Sequence, residues 1–226
     1  MLKGFVLYYI LSMLTHNPFL ALIMLLVIYG VADRTYFGFL PDFSAPFKRR
    51  NRIKRLLAEL AVNPANADNA QELGILYFDK KNYSLALKYL QKANEKVNNS
   101  ARLYLYLGMT YMELNEPDKG KESLDKAVEL DRKVGHGLPY IYLLRYELNQ
   151  HGAASEKTTE LEQGLSNFAS TENFYRMGRA YKDQGNKQKA KEMFAHALEE
   201  YAYVPNRVRR IHRKWAILSR IGIMTG

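Results

Sequence analysis

Residues 101–134 read ARLYLYLGMTYMELNEPDKGKESLDKAVELDRKV, a stretch in which small residues recur among large apolar ones at fixed places. Leu107-Gly108 leads to Tyr111, then to Gly120, Leu124 and Ala127. The same skeleton stands 34 positions earlier as Leu73-Gly74 with Tyr77, Ala86, Leu90 and Ala93. After one irregular unit it returns as Met177-Gly178 with Tyr181, Ala190, Phe194 and Ala197. A fixed period of this size marks a solenoid of stacked helical hairpins. Each hairpin buries its apolar face only against its neighbours, so the array presents a long concave surface instead of one pocket. Such a surface points to partner binding.

This spacing resembles the tetratricopeptide repeat (TPR). With Ala67 as place one of a 34-residue unit, the family's Leu-Gly pair at places seven and eight falls on Leu73 and Gly74. Its aromatic at place eleven is Tyr77, its small residue at place twenty is Ala86, and places 24 and 27 are Leu90 and Ala93. Glycine and alanine suit places where two helices approach closely, because a larger side chain would wedge them apart. Units 67–100, 101–134 and 171–204 fit well. The unit between them, 135–170, is two residues longer and divergent. Its Glu147-Leu148-Asn149 repeats Glu113-Leu114-Asn115, and Ala154 holds place twenty, but Tyr142 stands where glycine is expected and Leu161 where alanine is expected. That hairpin is expected to be more open, or tilted. The resemblance implies an all-α, TPR-like solenoid of helical hairpins.

Helix punctuation agrees. Pro64 closes a preceding helix, Asn115-Glu116-Pro117-Asp118 and Gly185-Asn186 supply turns between helices, and Pro205 ends the last hairpin. Residues 48–66 carry Ile53, Leu56, Leu57, Leu60 and Val62 near helical spacing, as a half repeat capping the N-terminal end would. In residues 205–226, Val208, Ile211, Trp215 and Leu218 mark a C-terminal capping helix.

Upstream of the repeats, Phe5 to Ala32 is an uncharged run of 28 positions, longer than the roughly 20 that span a bilayer as a helix. Residues 1–35 are therefore expected to be a membrane anchor with a single transmembrane helix. His16-Asn17-Pro18 interrupts the run, so either one long helix kinks at Pro18 or an in-plane segment at 4–14 precedes a span. A cleaved signal peptide competes, but the run is long for a signal core and Gly30-Val31-Ala32 is a poor cleavage site. Residues 36–47, with five aromatics and two prolines, suit a linker at the membrane interface.

The net charge of +10 is not spread evenly. Residues 48–61 hold +5 and residues 205–226 hold +6, while 62–204 sum to −1. The first cluster places the repeats on the cytoplasmic side of a single-pass protein by the positive-inside rule. Arg49, Arg50 and Arg52, with Arg207, Arg209, Arg210 and Arg213, form two basic patches. They read as solvated cap surface, as contacts to anionic membrane lipid, or as a site for an acidic protein. Nucleic acid is disfavoured, because no recognised nucleic-acid module accompanies them and Trp215 shares its spacing with core residues.

Catalysis finds no support. There is no cysteine, and the histidines at 16, 136, 151, 196 and 212 show no pair at metal-ligand spacing. Gly135-His136-Gly137 lacks the Lys-Ser/Thr ending of a phosphate loop and reads as a turn leading into a helix. No enzyme activity, cofactor, metal or small-molecule substrate is expected.

In TPR hairpins the first helix lines the groove, and the resemblance assigns those places to Ile75 and Phe78, then Leu105, Tyr106, Met109 and Met112. In the divergent unit they fall on Tyr140, Leu143 and Tyr146, and in the last on Tyr175, Arg179 and Lys182. The lysine and asparagine set with which some family members clamp a C-terminal carboxylate is missing. What remains reads as an apolar groove rich in methionine and tyrosine, suited to an amphipathic helix or an extended apolar peptide. The expected function is a membrane-tethered scaffold or adaptor for a protein partner. The alternative is a peripheral binder of anionic lipid or nucleic acid acting through the basic flanks. A third possibility makes His16 and Asn17 polar contacts to partner helices within the membrane.

Overall fold

The structure, a computed structural model, describes residues 2–32, 45–153 and 155–225. These form twelve α-helices and one 3₁₀ turn, with no strand among the described residues. The chain divides into two compact units, Met1–Ala45 and Pro46–Gly226.

The first unit corrects the expected transmembrane helix. The uncharged run folds as two helices, α1 (Leu2–Thr15) and α2 (Pro18–Ala32), packed on each other with Leu11 and Ala21 buried. Among the described residues no helix is long and apolar enough to cross a membrane. Local stop and start signals outweigh hydropathy here. His16 adopts φ 51°, a left-handed conformation that ends α1. The Asn17 side chain accepts hydrogen bonds from the N–H groups of Phe19 (3.0 Å) and Leu20 (3.2 Å), which is an N-cap, and Pro18 opens the next helix. Residues 36–44 of the aromatic linker, and Ala154, lie outside the described residues.

The second unit begins with α3 (Ala45–Val62) and continues as four helix pairs. They are α4 (Ala67–Asp79) with α5 (Tyr83–Asn94), and α6 (Ala101–Glu113) with α7 (Pro117–Leu130). Next come α8 (Leu138–His151) with α9 (Glu156–Ser166), and α10 (Thr171–Asp183) with α11 (Lys187–Tyr203), before α12 (Asn206–Met224) closes the stack. Polar residues set the starts: the side chains of Asn66, Asn82, Ser100, Ser170 and Asn186 each accept from a backbone N–H three residues on. Left-handed residues at Lys81, Asn115 and Gly185 turn the chain between the helices of the three regular pairs.

The period works through close approach. A Cβ on Gly108 would sit 2.6 Å from Leu124 Cγ and 2.9 Å from the Gly120 carbonyl oxygen. At Gly74 and Gly178 the same construction meets Leu90 and Phe194 at 2.6 Å. Leu73, Leu90, Leu103, Leu124, Tyr181 and Phe194 are fully buried in one continuous core.

The α8–α9 pair departs from this. A 3₁₀ turn at Val134–Gly137, with left-handed Gly135, His136 and Gly137, delivers the chain to α8. Gly135-His136-Gly137 is thus a turn leading into a helix. The α8 and α9 helices touch much less extensively than the other pairs, and Tyr142, at the place of the crossing glycine, reaches toward Glu113 of α6. Their close approach lies instead at Gly164, where a Cβ would meet Tyr140 Cε1 at 2.7 Å. Two polar links hold the open pair. Buried Asn173 donates to the carbonyls of His136 (2.9 Å) and Phe168 (2.8 Å), tying α10 to both flanks of the unit. The Glu162 carboxylate accepts from the Tyr181 hydroxyl and lies 2.7 Å from Lys189 Nζ.

Candidate functional site

The residues assigned to the groove do not form one continuous apolar strip. Ile75, Leu105, Met109 and Leu143 are 8%, 3%, 3% and 4% exposed and belong to the core. They belong to the packing of neighbouring helices and expose almost none of their side chains. Leu105, for one, is covered by the turn that follows α7, where a Cβ on Gly135 would meet its Cδ2 at 2.6 Å.

The remaining positions fall into three groups. Phe78 and Tyr106 meet edge to face with ring centroids 5.6 Å apart, and Phe78 meets Tyr83 at 5.5 Å. Burial, and then the Asp79 charge, push the Tyr106 phenol up. At the far end, Tyr175 packs on Trp215 of α12 at 5.4 Å, and Lys182 Nζ reaches the Thr225 hydroxyl at 2.8 Å. Arg179 pairs with Asp183 at 3.5 Å. The capping helix therefore covers the last part of the expected groove. Tyr140 is turned inward, against Gly164 and Phe168.

Between these ends lies a depression of about 410 Å³. It opens where the α6–α7 turn faces α8, and Met112, Tyr142, Arg145, Tyr146 and Asn149 are among its walls, with Glu113, Asn115, Pro117 and Gln150. Two residues read from the sequence, Met112 and Tyr146, meet here. The rest of the lining is polar. The Tyr146 hydroxyl donates to Asp118 at 2.8 Å, which raises the phenol pKa. Tyr142 donates to Glu113 at 3.4 Å, and its ring lies under the Arg145 guanidinium at 5.9 Å. Burial, and then the Glu113 charge, push the Tyr142 phenol up to about 12. Both phenols are therefore neutral donors at any physiological pH. The expectation of an apolar, methionine-rich groove gives way to a wall of tyrosine, arginine and side-chain amides.

Sequence reading missed Glu113, Arg145, Asn115 and Asn149 as site residues. A signal was present, because Glu147-Leu148-Asn149 repeats Glu113-Leu114-Asn115. The repeated asparagines both end up on the rim, whereas Glu147 is buried. Arg145 carries no such signal.

The basic positions also divide. Arg52 grips Glu72 through two contacts of 2.6 and 2.5 Å, an α3–α4 clamp that lowers the Glu72 pKa, and Arg49 lies 3.8 Å from Asp79. These two join the half repeat to the first full one, while Arg50 is exposed beside Lys80 at a second depression. On α12, Arg209 stacks over Tyr201 at 4.8 Å, Arg213 is half-buried, and Arg207 and Arg210 are exposed. Among the described residues no group of three or more His, Asp and Glu could hold a metal ion.

Comparison with known proteins agrees with the helix pairs. Residues 77–136 and 171–202 match tetratricopeptide repeat family models. The chain is a tetratricopeptide repeat protein. Among solved structures, it is similar to MamA at 21% identity and a TM-score of 0.55, covering 72% of this chain and 96% of that one. YrrB, described as a TPR protein with an unusual peptide-binding site, superposes with a TM-score of 0.53 at 20% identity, covering 76% and 86%. The C-terminal part of a TPR protein from Cytophaga hutchinsonii gives 0.51 at 18% identity, covering 80% and 70%. At these identities the likeness concerns the fold. No curated protein matches the chain.

Proposed function

We propose that the protein is an interaction scaffold that binds an extended segment of a protein partner in the depression between α6–α7 and α8. The observation that carries this reading is the composition of that wall. Extended peptides leave backbone N–H and C=O groups unpaired; Asn115 and Gln150 offer matching donors and acceptors around a floor of Tyr142, Tyr146 and Met112, and Asn149, whose Oδ1 accepts from Gln184, offers its amide N–H groups. Arg145 adds a cation for a carbonyl or an acidic side chain. Met112, Tyr142 and Tyr146 supply most of the apolar contact.

The test is a photo-crosslinker at Asn149, compared with the same group at Lys157 on the outer side of α9. The reading expects a specific protein adduct only from Asn149, and Tyr146→Ala or Arg145→Ala should weaken its formation. Loss of a hot-spot side chain typically costs about 2 kcal/mol, roughly thirtyfold in affinity. Equal capture from both positions would sink the proposal.

The same proposal includes a membrane tether through α1–α2, whose exposed side chains are apolar, with the repeats on the cytoplasmic side as the basic cluster of residues 48–55 suggests. One further observation favours a second contact. Capping helices need polar outer faces, yet the outer ridge of α12 runs Arg210, Lys214, Ile217, Ile221, Met224, with Ile221 48% and Met224 85% exposed. Cations beside apolar side chains suit an anionic lipid surface. Binding of residues 46–226 to anionic vesicles should then weaken on Ile221→Ser and Met224→Ser as well as in salt. Dependence on salt alone would argue for a purely electrostatic surface.

A further inference from the structure

The two short helices of the N-terminal unit carry no polar face. Phe5, Tyr9 and Met13 are exposed along α1, and Leu20, Ile23 and Val27 along α2, while no residue from Phe5 to Ala32 is charged. An in-plane interfacial helix needs a charged side to leave in water, and neither helix has one. A groove in a partner protein would cover a single face and leave the others wet. Lipid chains cover all faces at once.

Length then decides the mode. At about 1.5 Å per residue, the apolar stretch of α1 from Phe5 to Leu14 reaches roughly 15 Å, and that of α2 roughly 20 Å. A hydrocarbon core is about 30 Å thick, so each helix serves about one leaflet. The polar turn between them satisfies its Thr15 hydroxyl and Asn17 oxygen atoms, while the His16 imidazole makes no such bond among the described residues. The Thr15 hydroxyl lies 2.8 Å from the Leu11 carbonyl and 3.1 Å from that of Asn17. Asn17 Oδ1 accepts from two backbone N–H groups, and its carbonyl accepts from Ala21 at 3.0 Å. Polar groups bonded in this way lose far less on leaving water than unpaired ones.

We infer that α1–α2 is a re-entrant hairpin that enters one leaflet and leaves by the same face, so that the amino-terminal end of α1 and the repeats lie on the same side of the membrane. The inference rests on the tether proposed above and stands in place of the single crossing expected from the sequence. Because the chain has no native cysteine, sidedness can be read directly in the full-length protein. Three variants are needed: a cysteine inserted after Met1, Lys119→Cys on exposed α7, and His16→Cys at the turn. Each is exposed to a membrane-impermeant maleimide in intact cells and again after lysis without detergent. Carbonate-washed membranes are assayed in parallel. The hairpin expects the first two variants to label together, both only after lysis, and His16→Cys to resist until detergent is added. Labelling of the Met1 insertion in intact cells with Lys119→Cys protected would restore a single crossing and overturn the hairpin, while the tether stands. Labelling of His16→Cys in intact cells would also overturn it. Release of the chain from carbonate-washed membranes would overturn the tether itself.

Discussion

The α6–α7 and α8–α9 pairs are neighbours, yet they close in different ways. In α6–α7 the backbone of Gly108 rests against Leu124 and the Gly120 carbonyl, with no room for a Cβ. In α8–α9 a tyrosine stands at the corresponding place, and the helices part until Gly164 of α9 meets the Tyr140 ring. A pair crossed on glycine is a stable brick of the stack. The α8–α9 pair, with the Tyr140 ring against Gly164, touches less, and the depression lies on that irregular unit's border, between α6–α7 and α8. The repeat thus supplies rigidity at regular places, and its single departure supplies a candidate site.

The sharpest way to break this contrast is to add one methyl group to each crossing. In the unit of residues 46–226, Gly108→Ala drives a Cβ onto backbone and a branched side chain, and overpacking of this kind costs about 1–3 kcal/mol. Gly164→Ala meets only the edge of a tyrosine ring, so the gain of about 1 kcal/mol in helix propensity, which both substitutions share, offsets much of the smaller strain here. Urea titration should show a clear drop in midpoint for the first and little change for the second. Equal effects would mean that the two crossings are not physically different.

A second test concerns what holds the open pair. Asn173→Ala removes the two donations to His136 and Phe168 carbonyls and leaves both acceptors without that donor. The expected cost is about 2 kcal/mol, since each such bond contributes about 1 kcal/mol. Hydrogen exchange should quicken in α8–α9 before it does in α6–α7. Uniform loss of protection would show that the divergent unit is not the weaker element.

The repeat was legible in the sequence because glycine and alanine at crossing points leave a pattern that survives divergence elsewhere. The site was less legible. Periodicity marks which side of a helix faces inward, but it does not say whether the next helix already covers that side. Met109 and Met112 illustrate this, three residues apart on one helix, with the first buried in the core and the second on the rim of the depression. Met109→Ala is therefore expected to cost stability, about 2–5 kcal/mol, and not to act on binding alone. Charge counting had the same blind spot, since it tallied Arg52 without its partner Glu72. Hydropathy missed the hairpin of α1–α2 because the window that finds an apolar run ignores a stop signal three residues long, His16-Asn17-Pro18.

The smallest effect expected at neutral pH belongs to Tyr142, and it tests whether the depression between α6–α7 and α8 is wet or dry. Its phenol is pushed from about 10 to about 12, by burial first and by Glu113 second. A raised folded-state pKa means that the neutral phenol's contribution to stability is complete below the unfolded value near 10. It is lost as pH rises through the window from about 10 to about 12, where the unfolded chain releases the proton that the folded chain retains. At pH 7, Tyr142→Phe forfeits one long hydrogen bond to an exposed carboxylate, about 0.5 kcal/mol. Between pH 10 and 12 the wild type should lose stability faster than Tyr142→Phe, so the two curves converge or cross. Other tyrosines, among them Tyr77 and Tyr106, are also raised, but they are common to both proteins and cancel in the difference. Parallel curves across that window would show that water reaches the Tyr142 phenol freely, and the space between α6–α7 and α8 would then be a solvated cleft instead of a walled depression.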